Sequence, residues 1–153
     1  MLYLVRHAKA GDRNAWKGDD RLRPLSKEGR RQADSLARKL ARLTNGELVS
    51  SPYERCLQTL HPLSSVLRLT VREDDRLAEE APFEGVLVLL ADVPDGTVLC
   101  SHGDVIPDTM AALQRRGCTV VGEPDWRKGS VWELQRNDDG QVVEATAWPP
   151  PEA

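Results

Sequence analysis

Short, almost wholly apolar runs recur along this chain, and each is followed by apolar residues at helical spacing. Leu2-Tyr3-Leu4-Val5, Leu48-Val49 and Val98-Leu99-Cys100 are too short for helices, and they lack the polar alternation of a half-exposed strand. Such runs read as strands buried on both faces, the condition of a parallel sheet covered by helices. Between the first two, Ser26 is a candidate N-cap, and Leu36, Leu40 and Leu43 recur with Ala33 and Ala37 on one helical face. Asn45-Gly46 closes that helix. A second helix is predicted from Pro52 through Leu57, Leu60 and Leu67, and a short edge strand at Leu69 to Val71. Val86 to Ala91, bracketed by Pro82 and Pro94, reads as a third helix, and the segment from Gly103 through Met110 and Leu113 as a fourth. Ser130 to Leu134 and Val142 to Ala147 read as two late strands joined by Asn137-Asp138-Asp139-Gly140. The order βαβα(β)αβαββ predicts a three-layer α/β/α sandwich with a mostly parallel central sheet. It is expected as one domain over residues 1–147, with a tail at 148–153.

A parallel sheet gathers its strand ends at one edge, and open α/β sheets bind ligands there. Here those ends are chemically loaded. The first strand runs into Arg6-His7, and the second into Ser50-Ser51-Pro52, with Arg55 in the next helix turn. The strand at Val98 runs into Ser101-His102-Gly103. Two imidazoles and two guanidiniums at one edge suit a phosphoryl group. A neutral imidazole is a competent nucleophile toward phosphorus, and arginine holds phosphoryl oxygens through paired N–H donors. A second imidazole can stabilise charge developing on those oxygens, and a nearby carboxylic acid would protonate the leaving group.

Other classes fit less well. The 21 Lys and Arg against 24 Asp and Glu give a net charge of −3, which argues against binding a nucleic-acid polymer. Two arginines in the pocket would repel a dication, and no cysteine pair or HExxH accompanies the histidines, so no metal and no other cofactor is expected. A cysteine-based phosphatase would need an arginine where Pro62, Ile106 and Pro124 stand. Walker and Gly-x-Ser-x-Gly motifs are absent. Cys56, Cys100 and Cys118 show no paired spacing and no long apolar segment exists, so a cytoplasmic chain with no membrane contact is expected. The oligomeric state is left open.

The motifs resemble the histidine phosphatase superfamily, the phosphoglycerate mutase-like proteins. Leu4-Val5-Arg6-His7-Ala8 is similar to its signature, with Ala8 in place of the usual glycine. Leu25-Ser26-Lys27-Glu28-Gly29-Arg30-Arg31-Gln32-Ala33, Ser51-Pro52-Tyr53-Glu54-Arg55-Cys56-Leu57-Gln58-Thr59 and Ser101-His102-Gly103 resemble its further motifs in order. The short interval between Arg55 and His102 resembles the SixA-type phosphohistidine phosphatases, which lack a large cap insertion. Lys17-Gly18-Asp19-Asp20, Val105-Ile106-Pro107-Asp108 and Lys128-Gly129-Ser130-Val131-Trp132 also resemble a phosphatase domain fused to Nudix hydrolases. The resemblance implies that His7 becomes phosphohistidine and that Arg6, Arg55 and His102 bind the phosphoryl group. For the proton donor Glu80 is favoured slightly over Glu79, with Asp20 a rival. Asp20, Lys9 and Ser101 are candidates for further substrate contact, Lys9 to extend the anion site and Ser101 to cap or brace it. The implied substrate is a phosphorylated small molecule or a phosphohistidine protein. A non-catalytic module binding phosphoprotein or nucleotide, a nucleotide phosphatase and a mutase stay open as alternatives.

Overall fold

The computed structural model describes residues 1–152. A seven-stranded sheet is ordered β3-β2-β4-β1-β6-β7-β5. Its strands are β1 (Leu2–Arg6), β2 (Leu48–Ser50), β3 (Val71–Glu73), β4 (Val98–Ser101), β5 (Thr119–Val121), β6 (Val131–Arg136) and β7 (Val142–Trp148). The helices are α1 (Lys27–Leu40), α2 (Glu54–Leu67), α3 (Phe83–Asp92) and α4 (Val105–Arg115). β1, β2, β3 and β4 pair in parallel, and only β6 runs against its neighbours β1 and β7. The expected mostly parallel α/β sandwich is therefore the fold observed.

Alternation along the central strands builds two cores. Tyr3, Val5, Val98 and Cys100 face the layer of α1 and α2, packing with Leu36, Leu40, Cys56 and Leu60. Leu2, Leu4 and Leu99 face α3 and α4, packing with Val86, Leu89, Ile106 and Met110. The strands are apolar on both sides because both sides are covered.

Three elements differ from the sequence reading. The edge strand expected at Leu69 to Val71 is β3 at Val71–Glu73, where it pairs with β2. β5 follows too few residues after α4 to carry a periodic signal, and its position is set by pairing with β7. Trp148, assigned to the tail, ends β7 instead. Its ring packs on Tyr3 at 5.6 Å between centroids, and its Nε1–H donates to Glu133 Oε2 at 2.9 Å. Burial of the indole extends the strand past Ala147. The tail beyond it lies against α1, with Gln32 Nε2 donating to the Pro151 carbonyl. Between Arg55 and His102 the chain is taken up by α2, β3, a short 3-10 turn, α3 and β4, leaving no cap. No helix among the described residues is long and apolar enough to cross a membrane.

The start of α1 is pinned to the strand edge that carries His7. Ser26 caps the helix by accepting from the Gly29 amide at 3.1 Å, while its own amide donates to the Lys9 carbonyl at 3.0 Å. A Cβ at Gly29 would overlap that carbonyl. Gly29→Ala is therefore expected to destabilise the fold by about 2–3 kcal/mol through overpacking, measured as a lower urea midpoint at unchanged slope.

Candidate active site

His7 follows the last residue of β1, and every backbone N–H around it is held. Its own amide donates to the Ser101 carbonyl at 3.1 Å, the Ala8 amide to Thr59 Oγ1 at 2.9 Å, and the Lys9 amide to Gln32 Oε1 at 3.0 Å. Gln58 accepts from the Leu25 amide at 2.8 Å. The Gln and Thr positions of the sequence motifs thus hold backbone rather than substrate. The His7 ring is buried, and its Nδ1 lies 2.8 Å from the Ala8 carbonyl. A carbonyl only accepts, so Nδ1 carries the hydrogen and Nε2 keeps its lone pair. Burial holds His7 well below the usual histidine pKa; the Ala8 bond opposes this, and the charges of His102, Arg55 and Arg6 add to it. The ring is neutral, with the Nε2 lone pair left free.

His102 lies edge-on to His7, with ring centroids 5.5 Å apart, and edge-on to Tyr53 at 4.8 Å. Its Nε2 is 2.8 Å from Ser51 Oγ, which also accepts from the Tyr53 amide at 3.2 Å. Where Ser51 Oγ–H donates to Nε2, the ring hydrogen sits on Nδ1. Cys56 Sγ sits behind the ring, 3.5 Å from Nε2, and all three cysteines are buried and unpaired.

The arginines are set by packing. Arg6 Nη1 donates to the Trp126 carbonyl at 2.6 Å. Its guanidinium lies where a Cβ on residue 103 would be, 2.5 Å from Cζ, so any side chain after His102 would displace it. Arg55 has no exposed surface and stacks on Tyr53 at 4.9 Å. It donates to the Asp20 carbonyl at 2.9 Å and to Asp20 Oδ2 at 3.1 Å, and it lies 3.4 Å from Glu79 Oε2. Arg6 Nε, Arg55 Nε and His102 Nδ1 are buried nitrogens with no hydrogen-bond partner. A cleft of about 660 Å³ opens at Arg6 and His7, lined also by Arg13, Arg23, Glu79, Glu80 and Lys128; Arg55 and His102 lie behind this lining.

His7, Arg6, Arg55 and His102 are thus brought together as the sequence led us to expect. Four other candidates are placed differently. Ser101 Oγ donates to the Leu77 carbonyl at 2.7 Å, so it braces the strand end and does not face the cleft. Lys9 pairs with Glu28 at 3.0 Å and lines the neighbouring groove, while Ala10, bridged to Leu25, lines the cleft. Asp20 is a partner of Arg55 and Arg23, not a free anion site. Burial works against its charge, but the hydrogen bond from Arg23 and the charge of Arg55 hold its pKa below the ordinary carboxylate value. Of the two glutamates it is Glu79, not Glu80, that meets Arg55; Glu79 also pairs with Arg13 at 2.9 Å. Glu80 is exposed on the cleft rim with φ 68°, its amide tied to Asp104 Oδ2 at 2.8 Å. Both glutamates line the cleft, and only Glu79 pairs with an arginine. Arg13, Arg23 and Lys128 were missed, since loop residues far apart in sequence carry no periodic signal. No group of three metal-ligating side chains occurs among the described residues.

Comparison with known proteins bears on this arrangement. The model of the histidine phosphatase superfamily (branch 1) matches residues 2–86. The chain is 36% identical, over 157 aligned residues, to 8-oxo-(d)GTP phosphatase of Mycolicibacterium smegmatis. That alignment covers 99% of this chain and 48% of the relative, so the chain spans about half the relative's length. The protein from Nakamurella multipartitia assigned as phosphohistidine phosphatase SixA superposes with a TM-score of 0.74 at 26% identity, covering 97% of this chain and 95% of that one. A protein histidine phosphatase SixA complexed with tungstate superposes at 0.73 with 21% identity, covering 96% and 93%, and shows the fold alone. On sequence and fold together, the chain belongs to branch 1 of the histidine phosphatase superfamily.

Proposed function

We propose that this chain is a phosphatase that passes a phosphoryl group through Nε2 of His7 to water. The observation that carries the reading is the trio of buried, unpartnered nitrogens on Arg6, Arg55 and His102 around a neutral His7. Buried polar groups are normally satisfied, and three N–H groups beside a nucleophile suit the oxygens of a transferring phosphoryl group. A simple binding module would need the donors but not the oriented lone pair.

In the first step the Nε2 lone pair attacks phosphorus, the bond to the leaving oxygen breaks, and Glu79 supplies that oxygen with a proton. In the second step Glu79 takes a proton from water. The oxygen attacks phosphorus, the P–N bond breaks, and phosphate leaves with His7 restored. His102 donates from Nδ1 throughout, oriented by Ser51. The substrate belongs to one of two classes: a phosphohistidine on a partner protein, or a phosphorylated small molecule such as a nucleotide. The second is favoured by the 36% identity to an 8-oxo-(d)GTP phosphatase along 99% of this chain and 48% of that relative, against 21–28% to SixA structures. Three unpaired, buried thiols support a reducing, cytoplasmic setting.

Incubation with p-nitrophenyl phosphate is expected to give turnover in excess chelator and an acid-labile, alkali-stable phosphate on the protein. His7→Ala is expected to lose both, with a rate loss on the order of 1000-fold; full activity in that variant would overturn the nucleophile. Because His7 stays neutral when folded, kcat/KM corrected for substrate ionisation is expected to hold as pH falls to the ordinary histidine value. Its acid limb is expected below pH 6.5. Glu79→Gln is expected to slow alkyl phosphates by about 100-fold. p-Nitrophenyl phosphate, whose leaving group needs no proton, is expected to be slowed far less. Equal losses on both substrates would assign the proton to another group.

A further inference from the structure

A second groove of about 610 Å³ lies beside the His7 cleft. The two share Lys128 and lie on either side of the Lys9–Ala10 segment: Lys9 lines the groove, while Ala10 and Gly11 line the cleft. Its walls are the first turns of α1, the loop before β6 and the tail at Pro150–Glu152. Four cations line it, Lys9, Arg31, Arg127 and Lys128, against the carboxylates of Glu28 and Glu152. Lys9 is paired with Glu28 and Arg127 with Asp125, but Arg31 and Lys128 have no ion-pair partner among the described residues. A surplus of positive charge in a groove on a chain of net charge −3 is a local arrangement, not a consequence of composition. Burial lowers the Lys128 pKa, and the charges of Arg6, Arg23, Arg13 and Arg55 lower it further. An anion beside Lys128 would relieve that repulsion.

Resting on the phosphatase reading above, we infer that this groove is a second anion subsite, which takes the inner phosphate of a phosphoanhydride substrate while the terminal phosphate meets His7. Lys128 bridges the two phosphates, and Arg31 holds the inner one from α1. Attack by His7 Nε2 on the terminal phosphorus breaks the anhydride P–O bond. The inner phosphate leaves with the bond's electron pair and needs no proton. A groove of this size matches a small ligand and gives the open cleft a selectivity that a single phosphoryl pocket lacks.

The test compares kcat/KM for guanosine diphosphate and p-nitrophenyl phosphate in wild type, Arg31→Ala and Arg31→Glu. Arg31 is exposed on α1, so both variants are expected to fold. Wild type is expected to prefer the diphosphate, and that preference is expected to fall about 10-fold in Arg31→Ala and further in Arg31→Glu, chiefly through KM. No preference in wild type, or a preference unchanged in both variants, overturns the subsite while leaving the phosphatase reading intact. If neither substrate is turned over, the phosphatase reading fails. Calorimetric titration of guanosine diphosphate into His7→Ala, with and without Arg31→Ala, then decides the subsite: weaker binding in the double variant upholds it, equal binding overturns it. A dependence on Arg31 seen only with a phosphohistidine peptide assigns the groove to a protein segment and also overturns the proposal.

Discussion

The site depends on how the chain is held after it leaves the sheet at Arg6. Beyond that point no ladder holds the backbone, yet buried N–H groups must be satisfied. Ser101 of β4, Thr59 of α2 and Gln32 of α1 supply the acceptors for three successive amides. Three elements on two sides of the strand edge therefore define where His7 sits. Its ring is then oriented by the carbonyl of the next residue, which decides which nitrogen is free to react.

The same packing decides the charge state of the cleft. Arg55 is wholly buried, a position that a guanidinium occupies only when paired. Asp20 and Glu79 supply that pairing through its terminal nitrogens, leaving Nε for another acceptor. Arg6 is held by a carbonyl and by the absence of a side chain at Gly103. With burial on one side and cations on the other, His7 is kept neutral. The cations that would suit a phosphoryl group thus add to the burial that keeps His7 neutral.

Much of this was legible from residues alone. The three strands with apolar runs, the Ser26 cap and the four residues at strand ends all lie where local patterns put them, because burial on both faces writes itself into composition. The short strand β5 and the extension of β7 to Trp148 were not legible, since each is stabilised by a partner distant in sequence. At the site, the motif residues were found but some roles were not. Gln32 and Thr59 serve backbone, and Ser101 braces Leu77. Residue type alone does not distinguish a side chain facing a cleft from one facing a carbonyl.

The sequence by itself determined the layered α/β architecture, the edge at which the site would form, and the four side chains Arg6, His7, Arg55 and His102. Those follow from period, chain order and the chemistry of residue types. Only the tertiary structure decided that Glu79 rather than Glu80 meets Arg55, that Asp20 is an arginine partner, and that Lys9 opens onto a second groove. Glu79 and Glu80 share type and charge, and Lys9 adjoins cleft-lining Ala10, so which side chain meets which partner is set by backbone direction and packing that composition does not encode.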